Sequence, residues 1–200
     1  MVASHQRHDS VAEIAKRVVD AAPPQFGLVG LSMGGYIAFE IMRQAADRVT
    51  RLALLDTTAN PDTAEQTLRR QDQVALAQRG HLDDVIDLLF PHFVRKACWD
   101  DEPLRRVVGQ MADETGPAAF VRQQVAIMNR PDSRPGLAEI GCPTMVVVGA
   151  EDTLTTPEHA KEIADGIPGA RLVVIPECGH LSTLEQPTSV TAALVDWLQW

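Results

Sequence analysis

The chain has 200 residues, 45% apolar and only 4% aromatic, with a formal net charge of −9 at pH 7. That length supports one domain with its own core, and the acidic balance argues against nucleic acid or an anionic membrane surface as a partner. Cys98, Cys142 and Cys178 are odd in number and widely spaced, which fits neither a disulfide framework nor a metal site; without a signal peptide or membrane-length apolar run, the expected location is the cytoplasm.

Met1 to Arg7 is polar and expected to be loose. Asp9-Ser10 is placed to cap a first helix, Val11 to Ala22, whose Val11, Ile14, Ala15 and Val18 share one face. Pro23-Pro24 ends it, and the short apolar run from Phe26 reads as a buried strand. A second helix is expected from just beyond Ser32 to about Ala46, then a second strand, Arg51 to Asp56. From Asp62 to Arg130 helical periodicity takes over, at about 62–79, 82–95, 101–113 and 117–129, with breaks at Gly80, Pro103 and Gly116-Pro117. Phe90, Phe93, Trp99, Met111, Phe120 and Met128 lie in this stretch; ordinary core packing is the expected role, with some free to line a substrate cavity. Strand–helix alternation then returns: a strand at 143–149, a helix at 157–166, a strand at 170–175 and a last helix from Pro187 to Trp200. Repeated strand–helix units imply a parallel sheet covered by helices on both faces, with its chemistry at the carboxyl ends of the strands.

Within the first strand–helix unit stands Gly30-Leu31-Ser32-Met33-Gly34-Gly35. Gly-x-Ser-x-Gly between a strand and a helix is the pattern of a nucleophile elbow, a strained turn that lifts a serine hydroxyl clear of the sheet. Gly30 and Gly34 are expected to be glycine because side chains there would collide as strand and helix close together. The spacing fits neither a dinucleotide fingerprint nor a phosphate-binding loop.

A serine needs a base to take its proton, and that base needs an orienting acid. Of six histidines, His5 and His8 fall in the tail, His81 and His92 in the helical stretch, and His159 in an expected exposed helix. His180 alone follows a sheet strand on a loop, between Gly179 and Leu181. Asp152, after the 143–149 strand, is favoured over Glu151 and Asp56 and gives the order Ser, Asp, His; Asp56 also ends a strand and is the second choice. Cys178 is a rival nucleophile, but it lies two residues from His180 with no orienting acid evident for that pairing.

The sequence resembles the α/β-hydrolase superfamily on Gly30 to Gly35, on Val148-Gly149-Ala150-Glu151-Asp152, and on Gly179-His180 followed by Glu185-Gln186-Pro187. The resemblance covers nearly the whole chain. It implies an α/β-hydrolase core at 1–61 and 131–200, a helical cap insertion at 62–130, and the absence of the strands that usually precede the elbow. It implies Ser32 as nucleophile, Asp152 as acid, His180 as base, and the Met33 backbone N–H as one half of the oxyanion hole. Members usually draw the second oxyanion N–H from a glycine-containing loop ahead of the elbow; His8-Asp9-Ser10 looks like only the tail end of that region. The bare side of a shortened sheet would be covered by a second copy, so a homodimer is expected to be worth testing.

The implied activity is cleavage of a carboxylic ester with a small or medium acyl group, with no cofactor or metal. Enol-lactone hydrolysis, carbon–carbon bond hydrolysis and cofactor-free perhydrolysis fit the same residues. So does, outside the enzymes, a catalytically weak remnant that binds a ligand or partner.

Overall fold

The computed structural model describes residues 2–200. Four strands form one parallel sheet in chain order: β1 (Phe26–Leu31), β2 (Val49–Leu55), β3 (Thr144–Gly149) and β4 (Arg171–Ile175). The helices are α1 (Val11–Ala21), α2 (Met33–Ala45), α3 (Ala64–Gln78), α4 (Leu82–Phe93), α5 (Glu102–Thr115), α6 (Pro117–Met128), α7 (Pro157–Gly166), α8 (Ser182–Glu185) and α9 (Pro187–Trp197).

Side chains on a strand alternate between faces, and both faces of this sheet are dry. Leu52, Leu54, Val146 and Val148 pack against Ile14, Ile37, Ile41 and Ile163 from α1, α2 and α7. On the opposite face Ala53, Leu55, Met145 and Val147 meet Val190 and Trp197 of α9. The expected helices on both faces are therefore present. β3 is buried along its whole length, which is why it reads as an unbroken apolar run. β1 instead lies at an edge, with Val29 48% exposed and hydrogen bonding to β2 on one side. Among the described residues no strand precedes it.

Helices α3 to α6 fill the connection from β2 to β3. A capping box starts α3: Thr63 Oγ1 accepts from the Gln66 N–H, and the Gln66 side chain accepts from the Thr63 N–H. The two ends of this helical stretch are joined by a buried ion pair between Arg130 and Asp62, and the Arg130 guanidinium also lies over the Tyr36 ring at 4.3 Å. Phe90, Val94 and Val108 make a small core that takes in Leu181 and Leu184 from the segment after His180.

Three local expectations change. Ser10 sits at the head of α1 but makes no side-chain cap bond. His159 is half-buried rather than exposed, and its Nδ1 accepts the Thr156 N–H, closing the first turn of α7. The short α8, lying just before Pro187, has too few residues to show periodicity and was not anticipated.

Candidate active site

β1 delivers Ser32 to the rim with φ +51° and ψ −114°, a backbone conformation rarely adopted by a residue with a side chain. Three hydrogen bonds hold it there. The Ser32 N–H donates to Leu55 O at 2.9 Å, while its carbonyl accepts from the Gly35 N–H at 2.9 Å and from Thr57 Oγ1 at 2.8 Å. The glycines around the turn are not equivalent. A Cβ on Gly30 would lie 2.4 Å from Gly34 O, and one on Gly35 would lie 2.3 Å from Thr57 Oγ1. A Cβ on Gly34 would meet nothing within 4 Å, so the expected collision at Gly34 is corrected: the tight approaches fall at Gly30 and Gly35. Met33 opens α2 directly after Ser32, so its N–H has no intrahelical acceptor.

Asp152 is 3% exposed on the turn after β3. Its Oδ1 accepts the N–H groups of Leu154 (2.8 Å) and Thr155 (3.0 Å), and its Oδ2 accepts Thr155 Oγ1 (2.7 Å). His180 Nδ1 completes the set at 2.8 Å from Oδ2. Burial works to raise this carboxyl, but the hydrogen bond and charge of His180, helped by Thr155, outweigh it and hold the group below the usual carboxylate range. With Nδ1–H given to Asp152, the other ring nitrogen of His180 is free to accept, and Nε2 lies 2.8 Å from Ser32 Oγ. The structure thus brings Ser32, His180 and Asp152 into one hydrogen-bonded line.

The His180 loop is fixed from several sides. Glu151 N–H donates to Cys178 O at 2.8 Å, and Leu181 N–H donates to Phe93 O at 2.9 Å. The Glu185 carboxylate accepts Gly179 N–H and Arg95 N–H, each at 2.9 Å, joining the loop to the helical stretch. The Phe93 ring stacks on the imidazole with centroids 6.3 Å apart. Gly149 is needed here because a Cβ would lie 2.0 Å from Gly179 O.

The sequence rivals fall elsewhere. Burial, with Glu185, Asp56 and Asp152 nearby, pushes the Cys178 thiol up to about 12, where thiolate is scarce at neutral pH. Asp56 accepts from the Gly149 N–H and from Ser182, not from His180. His81 pairs with Asp84 on the surface of the helical stretch. Sequence reasoning did not find Thr57, Thr155, Ser182 or Phe93 as partners of the site. Their contacts join segments distant in the chain, or lie within one turn, and leave no periodic trace. Glu185 did carry a signal, standing next to the Gln186-Pro187 pair that closes the His180 motif. Among the described residues no group of His, Cys, Asp and Glu is arranged to hold a metal ion.

The fold has relatives among known proteins. The structure of a thermophilic esterase from Thermogutta terrifontis superposes with a TM-score of 0.88 at 31% identity, covering 95% of this chain and 72% of the esterase. An enol-lactonase from Burkholderia xenovorans gives a TM-score of 0.85 at 25% identity, over 96% of this chain and 74% of that one. BpoC of Mycobacterium tuberculosis, provisionally named a non-heme bromoperoxidase, is 28% identical over 183 residues, 88% of this chain and 68% of its own. The model of the alpha/beta hydrolase family matches residues 3–194, and the chain belongs to that family.

Proposed function

We propose that this hydrolase cleaves small to medium carboxylic esters through an acyl-enzyme on Ser32. The observation that carries the reading is the continuous line from Ser32 Oγ through both nitrogens of His180 to Asp152. His180 accepts the serine proton as Oγ attacks the carbonyl, and Asp152 stabilises the imidazolium that results. The proton then passes to the leaving alcohol, and water, activated by the same imidazole, releases the acid. Met33 N–H supplies one donor to the oxyanion. A second donor is worth about 3–4 kcal/mol of barrier, so its source sets how fast the enzyme runs.

Residues 62–130 act as a cap over this rim and would bound the acyl or alcohol pocket. The Thermogutta terrifontis neighbour is described as an esterase, which supports the ester as substrate class. The Burkholderia xenovorans neighbour is described as an enol-lactonase, which keeps a cyclic enol ester as the second reading. A series of p-nitrophenyl esters of rising chain length, run beside an enol-lactone, separates the two. Short acyl chains should be preferred, and Ser32→Ala should abolish turnover. Ester turnover unchanged in Ser32→Ala would remove the nucleophile assignment. A second copy of the chain pairing along β1 would cover its open edge; a clean monomer in light scattering at high concentration would discard that dimer.

A further inference from the structure

Asp56 takes no part in the line from Ser32 to Asp152, yet it is 0% exposed and stands at the same rim. Among the described residues, Ser32, Asp56 and Glu177 are the non-glycine residues with positive φ, at +51°, +45° and +49°, and each follows the end of a strand. Such a conformation persists where surrounding contacts fix it. At Asp56 the backbone N–H donates to Val147 O at 2.9 Å, and the carboxylate is turned inward. One carboxylate oxygen accepts the Gly149 N–H at 3.0 Å; the other accepts the Ser182 hydroxyl. Ser182 is itself 0% exposed and opens α8 two residues after His180. A single side chain just after β2 therefore spans the end of β3 and the segment that carries the base.

The charged and titratable groups acting on Asp56 come from two further elements. They are Asp152 on the turn after β3, and His180 with the Cys178 thiol on the loop after β4. Burial, opposed by Ser182, the imidazole and the Gly149 N–H, pushes the Asp56 carboxyl up to about 7. The group of opposite sign acting on it is His180 once protonated.

We propose that Asp56 is a positioning residue. It holds the His180 segment to the rim through Ser182, and its charge favours the imidazolium that forms when Ser32 gives up its proton. The proposal rests on the serine-hydrolase reading of Ser32 and His180. It adds a second carboxylate that acts on the base without touching it.

Asp56→Asn keeps the size of the side chain and tolerates the left-handed backbone, while removing the charge. In Asp56→Asn, fluorophosphonate labelling of Ser32 should slow about tenfold above pH 7, where the wild-type carboxylate is charged, and approach the wild-type rate well below it, where that carboxyl already holds a proton. A carboxyl needed only for shape would leave the ratio of variant to wild-type labelling rates the same at every pH, and a flat ratio overturns the proposal. Should Asp56→Asn fail to fold, Ser182→Ala, which cuts the tether and leaves the carboxylate, is expected to slow labelling by a similar factor; a wild-type rate would overturn it. If wild-type Ser32 takes no label at any pH, the hydrolase reading fails; a labelled wild type with a flat ratio removes the role of Asp56 alone.

Discussion

The carboxyl rim of the sheet and the helical stretch α3 to α6 are built to different standards. At the rim, backbone is driven into left-handed conformations at Ser32, Asp56 and Glu177, and Asp56, Asp152 and His180 are buried together. Glycines there touch other backbone: Gly30 against Gly34, Gly149 against Gly179, Gly179 against Arg95. In the helical stretch, Leu68, Leu88, Trp99, Val107 and Met111 remain exposed, and a Cβ on Gly109 would meet nothing within 4 Å. Strain and buried charge are costly, and they are tolerated where neighbouring contacts over-determine a geometry. The difference sets the strained, buried polar groups on the rim apart from the helical stretch, which meets the His180 loop through Phe93 and through the Arg95 N–H held by Glu185.

Substitutions can break that contrast, and the largest effect is expected at Gly149. A Cβ there would lie 2.0 Å from Gly179 O and 2.5 Å from Cys178 O, both backbone atoms that cannot swing aside. Gly149→Ala should cost beyond about 4–5 kcal/mol and leave little folded protein by circular dichroism. Gly34→Ala, with nothing within 4 Å of the new methyl and a helix around it, should fold and gain up to about 1 kcal/mol.

Asp56 gives the next largest effect, visible as a pH dependence of stability. Its carboxyl is raised from 3.8 to about 7 in the folded protein. The folded chain therefore keeps a proton that the unfolded chain has already released between roughly pH 4 and 7, so stability falls as pH rises through that window. Asp56→Asn has no such proton. Its Tm relative to wild type should climb across the same window, by the equivalent of on the order of 4 kcal/mol. A constant difference in Tm from pH 4 to 8 would mean that Asp56 is not raised.

Glu185→Ala strips acceptors from the Gly179 and Arg95 N–H groups together. About 2 kcal/mol of stability should be lost, with slower reaction at Ser32, because the His180 loop and the helical stretch lose their common tie. Smallest of all, Met111→Gln on the exposed face of α5 should stay within about 0.5 kcal/mol by denaturant unfolding and leave ester turnover unchanged. A large effect there would mean that the exposed face of α5 takes part in the reaction.

The same contrast explains what could be read from the chain. β3 and α7 were legible because an unbroken apolar run and a Pro-headed amphipathic helix are local patterns. Ser32 was legible from its glycines, and Asp152 and His180 because parallel strands deliver their carboxyl ends to one rim. The role of Gly34 was misjudged because proximity in sequence does not tell which glycine a neighbour approaches; Thr57, distant in the chain, makes Gly35 the tight one. The tie from Asp56 to Ser182 joins residues 126 positions apart, and no period reveals it. His159 read as a surface residue because its partner is the backbone N–H of Thr156.

The most direct test is to treat the folded protein with a fluorophosphonate and map the adduct by peptide mass spectrometry. One adduct is expected, on the peptide containing Ser32, and it should be lost in His180→Ala although the serine is still present. No adduct, or an adduct on another residue with Ser32 unmodified, would contradict the assignment of Ser32 and His180 as nucleophile and base.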